Sequence, residues 1–121
     1  MNYRWRLLID IKGLEEFKTL SGMQVQLNIK EVWLLSFIIE IYLAKKGINS
    51  SQIKGSKYIY ITDRLILKNL KYLDVKPRQL KAMIGKLCEL GYLSRIIKDY
   101  NKRYLKVNQE LLNRWNKNSD E

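Results

Sequence analysis

Between residues 54 and 117 the chain carries 16 Lys and Arg side chains against 5 Asp and Glu, and these cations are the chemistry most available to it. Residues 1–53 hold 7 basic and 5 acidic side chains, so the net charge of +11 comes almost wholly from the C-terminal half. Lysine-rich coding bias raises lysine throughout a chain and does not confine the surplus to one half. A basic surface of this kind attracts polyanions, of which nucleic acid is the commonest. The cations recur as Lys76, Arg78, Lys81 and Lys86 on one stretch, and as Arg95, Lys98, Lys102, Arg103 and Lys106 on the next.

Covalent and acid–base chemistry has little to work with. The absence of histidine removes the usual general base, the commonest metal ligand and the neutral-pH switch together. The single cysteine, Cys88, excludes an intramolecular disulfide and a Cys-rich zinc site. Its place beside an apolar helix face reads as a small buried hydrophobe, not a nucleophile. Glu15 and Glu16 are adjacent, so on a helix they do not face each other. There is no glycine-rich phosphate cradle and no metal-ligand spacing. The chain is therefore expected to be no enzyme and to hold no cofactor or metal.

The elements that must position the cations are legible in part. With 121 residues and 46% hydrophobic side chains, one domain with its own core is expected. Residues 1–27 read as an N-terminal strand and helix extension. Trp5, Leu7, Ile9 and Ile11 alternate with Arg6, Leu8, Asp10 and Lys12, and a short helix through Leu14, Phe17 and Leu20 follows. Residues 28–117 read as the core and 118–121 as a disordered tail. Asn28 with Glu31 predicts a capping box, and the helix then runs to about Lys46. It is apolar nearly all round, with a thin polar seam at Ser36 and Glu40. Such a helix is either the centre of the domain or a contact with a second copy.

Residues 47–57 read as a connector, and Tyr58 to Ile61 as a short strand. Thr62 caps a helix through Leu65, Ile66, Asn69, Leu70 and Leu73. A tight connection at Asp74-Val75-Lys76 leads to a second helix, with Pro77 at its first position and Gly91 ending it. Strands at Tyr92–Ile97 and Arg103–Val107 flank a polar tip, and Asn108 caps a last helix through Trp115. The fold class is thus α+β, mostly helical. No segment spans a bilayer, which needs roughly 20 apolar residues, so a cytoplasmic protein without membrane contact is expected.

Two helices joined by a tight turn and followed at once by a β-hairpin are the plan of a winged helix-turn-helix. The stretch ITDRLILKNLKYLDVKPRQLKAMIGKLCELGYLSRIIKDYNKRYLKV resembles winged-helix DNA-binding domains, in particular the N-terminal domains of plasmid and phage replication initiators and replisome organisers. Their step into the wing, L-x-x-L-G-[aromatic or Leu]-[Leu or Ile], is matched by Leu87, Leu90, Gly91, Tyr92 and Leu93. The resemblance covers residues 58–107 well and 3–115 loosely. Two positions depart from it: Asp74 stands where the turn usually carries Gly, and Lys76 where the second helix usually begins with Ser or Thr.

The resemblance implies that the helix from Pro77 enters a major groove. With Leu80, Ile84 and Leu87 facing the core, Arg78, Ala82, Gly85 and Glu89 lie opposite, flanked by Gln79, Lys81 and Lys86. Arg78 would then pair with guanine, Gln79 with adenine and Ala82 with a thymine methyl, while Lys76 meets phosphate. Lys98, Lys102 and Arg103 at the hairpin tip, with Arg95 and Lys106 on its strands, would grip phosphates or enter the minor groove. Tyr100 reads first as a plain residue of the polar tip, with stacking on a sugar or base as the lesser alternative, and Lys68 and Lys71 are phosphate contacts or plain solvent residues. The expected partner is double-stranded DNA, read sequence-specifically in replication initiation or transcriptional regulation, with replication or transcription proteins and a homodimer as further partners. A protein-interaction winged helix, or RNA binding through the same face, remains the alternative.

Overall fold

In a computed structural model the described residues are 27–44 and 50–114. The N-terminal strand and short helix, the residues 45–47 expected to end the long helix, Trp115 and the 118–121 tail lie outside them.

Asn28 opens helix α1 (Ile29–Leu43) with the capping box that its spacing predicts. Its Oδ1 accepts from the Glu31 amide at 2.9 Å, and Glu31 Oε1 accepts from the Asn28 amide at 2.9 Å. The helix stops at Leu43, short of Lys46. The Tyr42 carbonyl accepts from Lys57 Nζ at 2.6 Å, and Tyr42 Oη donates to the Lys57 carbonyl at 2.8 Å. A lysine from a neighbouring strand thus satisfies a terminal helix carbonyl, and Ala44 leaves in an extended conformation. The side chains of Leu34 to Ile39, with Ile41 and Tyr42, are all buried. The polar seam is not a solvent face, since Ser36 is buried with its Oγ unpaired. Most of α1 is therefore core, while Ile29 and Leu43 near its two ends stay exposed, and the homodimer expected from its apolar faces stands as a proposal.

Strands β1 (Ser50–Ile53) and β2 (Ser56–Tyr60) form a hairpin where a connector was expected. The two-residue loop Lys54-Gly55 has φ of 52° and 79°, the left-handed pair that a tight hairpin loop requires. Helix α2 (Asp63–Asn69) is capped by Thr62 Oγ1, which accepts from the Leu65 amide at 3.1 Å. A 3-10 turn at Lys71–Leu73 continues the run toward Asp74, whose φ of 48° fills the left-handed position where glycine is usual.

Helix α3 (Pro77–Glu89) begins with Pro77 at its first turn. The Ser/Thr cap is missing and no N-cap side chain takes its place; only the return half of a capping box is made, with Gln79 Oε1 accepting from the Lys76 amide at 3.0 Å. Gly91, at φ 89°, closes it: the Tyr92 amide donates to the Leu87 carbonyl and the Gly91 amide to Cys88. Strands β3 (Leu93–Lys98) and β4 (Lys102–Val107) follow, and helix α4 (Gln109–Arg114) ends the described chain. Asn108 ties these ends together, its Nδ2 donating to the Gly91 carbonyl and its Oδ1 accepting from the Glu110 amide.

The four strands make one antiparallel sheet in the order β1-β2-β4-β3. Ile59, Leu93, Leu105 and Val107 on one face join Leu80, Ile84 and Leu87 of α3 and the buried side chains of α1 in a common core. The molecule is therefore α+β, four α-helices and a four-stranded antiparallel sheet among the described residues.

Candidate nucleic-acid interface

Helix α3 is amphipathic because its apolar residues recur at 80, 84 and 87, and burying that row turns the opposite side outward. Arg78, Lys81, Ala82 and Glu89 are exposed, as are Lys76 and Gln79 at its start. Three of the expected contacts are altered by partners that sequence spacing does not reveal. Lys86 forms an ion pair with Glu31 at 2.8 Å, joining α3 to the first turn of α1, and with its side chain 43% exposed a phosphate would have to compete with that carboxylate for it. Arg103 points to the helix side of the sheet, where Nη1 meets Asp63 Oδ1 at 2.6 Å and Nη2 donates to the Ile61 carbonyl at 3.0 Å. Its side chain is 13% exposed, so although it pairs with Ile97 one step from the tip it is a structural pin to α2 and not a free tip contact. Gln79 Oε1 accepts from the Lys76 amide, which occupies one of its two lone pairs and fixes the side chain over the first turn, so a two-point match to adenine would have to share that oxygen.

The other hairpin residues stand where the sequence places them. Arg95, Lys98 and Lys102 are exposed, and Lys98 and Lys102 face each other across the last pair of the hairpin. The tip turns through Asp99 and Tyr100, both at positive φ, and leaves Tyr100 98% exposed. Lys106 is half-buried and donates to Ser56 Oγ at 3.1 Å. Lys68, Lys71 and Tyr72, on and after α2, are exposed, and Tyr72 was not singled out by its spacing. The chemical inventory stays narrow. Burial pushes the Cys88 thiol up, against the smaller pull of Arg95 and Arg103, and burial likewise raises the Tyr42 and Tyr92 hydroxyls. Among the described residues no group of three His, Cys, Asp or Glu could hold a metal ion, and no helix is long and apolar enough to cross a membrane.

Gly85 sits mid-helix on the outward side, and a Cβ built there meets no atom within 4 Å. Nothing inside the described fold requires a glycine, yet glycine costs a helix interior about 1 kcal/mol relative to alanine. Gly85→Ala is therefore expected to raise stability by up to about 1 kcal/mol in urea unfolding. If α3 lies close against a nucleic-acid backbone, the same change weakens duplex binding. A substitution that leaves stability unchanged means that the glycine is held by a contact not seen in this fold.

No protein-family model, no curated protein and no solved structure matches the chain.

Proposed function

We propose that this is a winged-helix protein that binds double-stranded DNA sequence-specifically, with α3 in the major groove and the β3–β4 hairpin against the backbone. The observation that carries this reading is the outward side of α3. Arg78, Lys81 and the small Ala82 lie exposed on the N-terminal half of the helix, directly after a tight turn and directly before a hairpin bearing exposed Arg95, Lys98 and Lys102. The connectivity supports it: after α1 and the β1–β2 hairpin come two helices and a second hairpin, with β2, the strand before the two helices, pairing with β4, the last strand. Replication initiation and transcriptional regulation are both served by such a module, and cytoplasmic location follows from either role.

Arg78 is the residue placed to read a base, since a guanidinium matches guanine O6 and N7 with two parallel hydrogen bonds. Arg78→Ala is expected to cost about 1–3 kcal/mol on a duplex selected for tight binding and little on random duplex. Lys102→Ala is expected to weaken both alike, because phosphate contacts carry no sequence information. Fluorescence anisotropy on the two duplexes measures this. Equal losses from both variants on both duplexes would mean that α3 does not read sequence.

A further inference from the structure

The sheet has a second face, turned away from the helices, of which the duplex reading uses only Lys98 and Lys102 beside the hairpin tip. The helix side is identified by Lys57 reaching Tyr42, by Arg103 reaching Asp63 and by the buried Ile59, Leu93, Leu105 and Val107. Side chains alternate along a strand, so the intervening residues project to the other face. There Tyr60 pairs with Tyr104, and Tyr104 with Ile96, across three neighbouring strands. The two tyrosine rings lie 5.5 Å apart at 40°, and Lys102 Nζ sits 5.7 Å from the Tyr60 ring centre. Lys98, Lys102 and Lys106 project from the same face, and none of the four strands contains an aspartate or glutamate.

We infer that this face is a binding platform for single-stranded DNA. Tyr60 and Tyr104, both half-buried, offer the exposed parts of their rings for unpaired bases to stack on, and the lysines offer charge for the phosphates between them, the combination that single-strand binders use. Duplex DNA keeps its bases stacked on one another and cannot use the rings. The lysines are not matched by any carboxylate on these strands, so charge complementarity favours a polyanion over a protein segment. Lys98 and Lys102 also stand at the hairpin that the duplex reading places on the backbone, so a strand leaving that duplex would run directly onto this face. The choice of DNA over RNA rests on that reading; the platform itself does not.

The test is anisotropy at about 100 mM salt with an oligo(dT) of about twelve residues, an abasic strand of equal length, the matching oligo(rU) and a duplex. Oligo(dT) is expected to bind at least about tenfold more tightly than the abasic strand. Tyr60→Leu and Tyr104→Leu, which keep apolar bulk, are expected to lose about tenfold for oligo(dT) and nothing for duplex. Arg78→Ala is expected to do the reverse, which separates failure of the platform from failure of the duplex reading. Equal binding of oligo(dT) and the abasic strand overturns the platform whether or not the variants fold, as does unchanged oligo(dT) binding by folded tyrosine variants. Tighter binding of oligo(rU) than of oligo(dT) overturns the assignment to DNA.

Discussion

Raising salt from about 50 to 200 mM is expected to weaken duplex binding several-hundredfold. Each phosphate neutralised by a lysine or arginine releases condensed counterions, and log K then falls against log salt with a slope of about −0.9 per contact. Lys76, Arg78, Lys81, Arg95, Lys98 and Lys102 are the exposed cations of α3 and the hairpin. If about five of them meet phosphate, the slope lies near −4 to −5. Lys81→Ala is expected to bring it closer to zero by about 1. Lys86→Met is expected to leave it unchanged, because the Lys86 ammonium is held by Glu31. A flat response, or no duplex binding at about 50–100 mM salt, removes DNA as the partner.

Asp63→Ala is expected to destabilise the fold by about 2–4 kcal/mol, well beyond the effect of breaking a surface ion pair. Among the described residues the carboxylate is the only charged partner of a guanidinium that is 13% exposed, and Arg103 Nε already lacks a hydrogen-bond partner there. Without Asp63 the buried cation retains only the Ile61 carbonyl. The loss is therefore dominated by an unpaired buried charge and not by the missing attraction. Asp63→Ala combined with Arg103→Met should recover much of it, because the charge and its demand for a partner vanish together. Lys86→Ala is the comparison: its side chain is 43% exposed and water replaces the partner, so about 1 kcal/mol or less is expected. Urea midpoints for the four proteins decide the matter. Equal losses for Asp63→Ala and Lys86→Ala would mean that the Asp63–Arg103 pin is no stronger than a surface pair.

Most helix boundaries of this chain were readable because they are decided within a few residues; the end of α1, expected at about Lys46 and found at Leu43, was not, because Lys57 reaches it from a neighbouring strand. Asn28 and Glu31 close on each other across one turn, Thr62 reaches the Leu65 amide, Pro77 has no amide to leave unpaired, and Gly91 accepts a φ of 89°. The β3–β4 hairpin was readable for the same reason. Strand β1 was not, since Ser50, Ser51 and Gln52 show no apolar alternation, and their strand conformation comes from pairing with β2. The Lys54-Gly55 pair was the one local signal available, and it was weak beside the surrounding serines. Charge followed the same division. Counting established how many cations the C-terminal half carries, but which of them face solvent depended on partners 40 and 55 residues away, Asp63 for Arg103 and Glu31 for Lys86. Periodicity orients a side chain relative to its own helix or strand. Only packing brings two distant elements within the roughly 3 Å over which an ammonium or guanidinium is captured by a carboxylate.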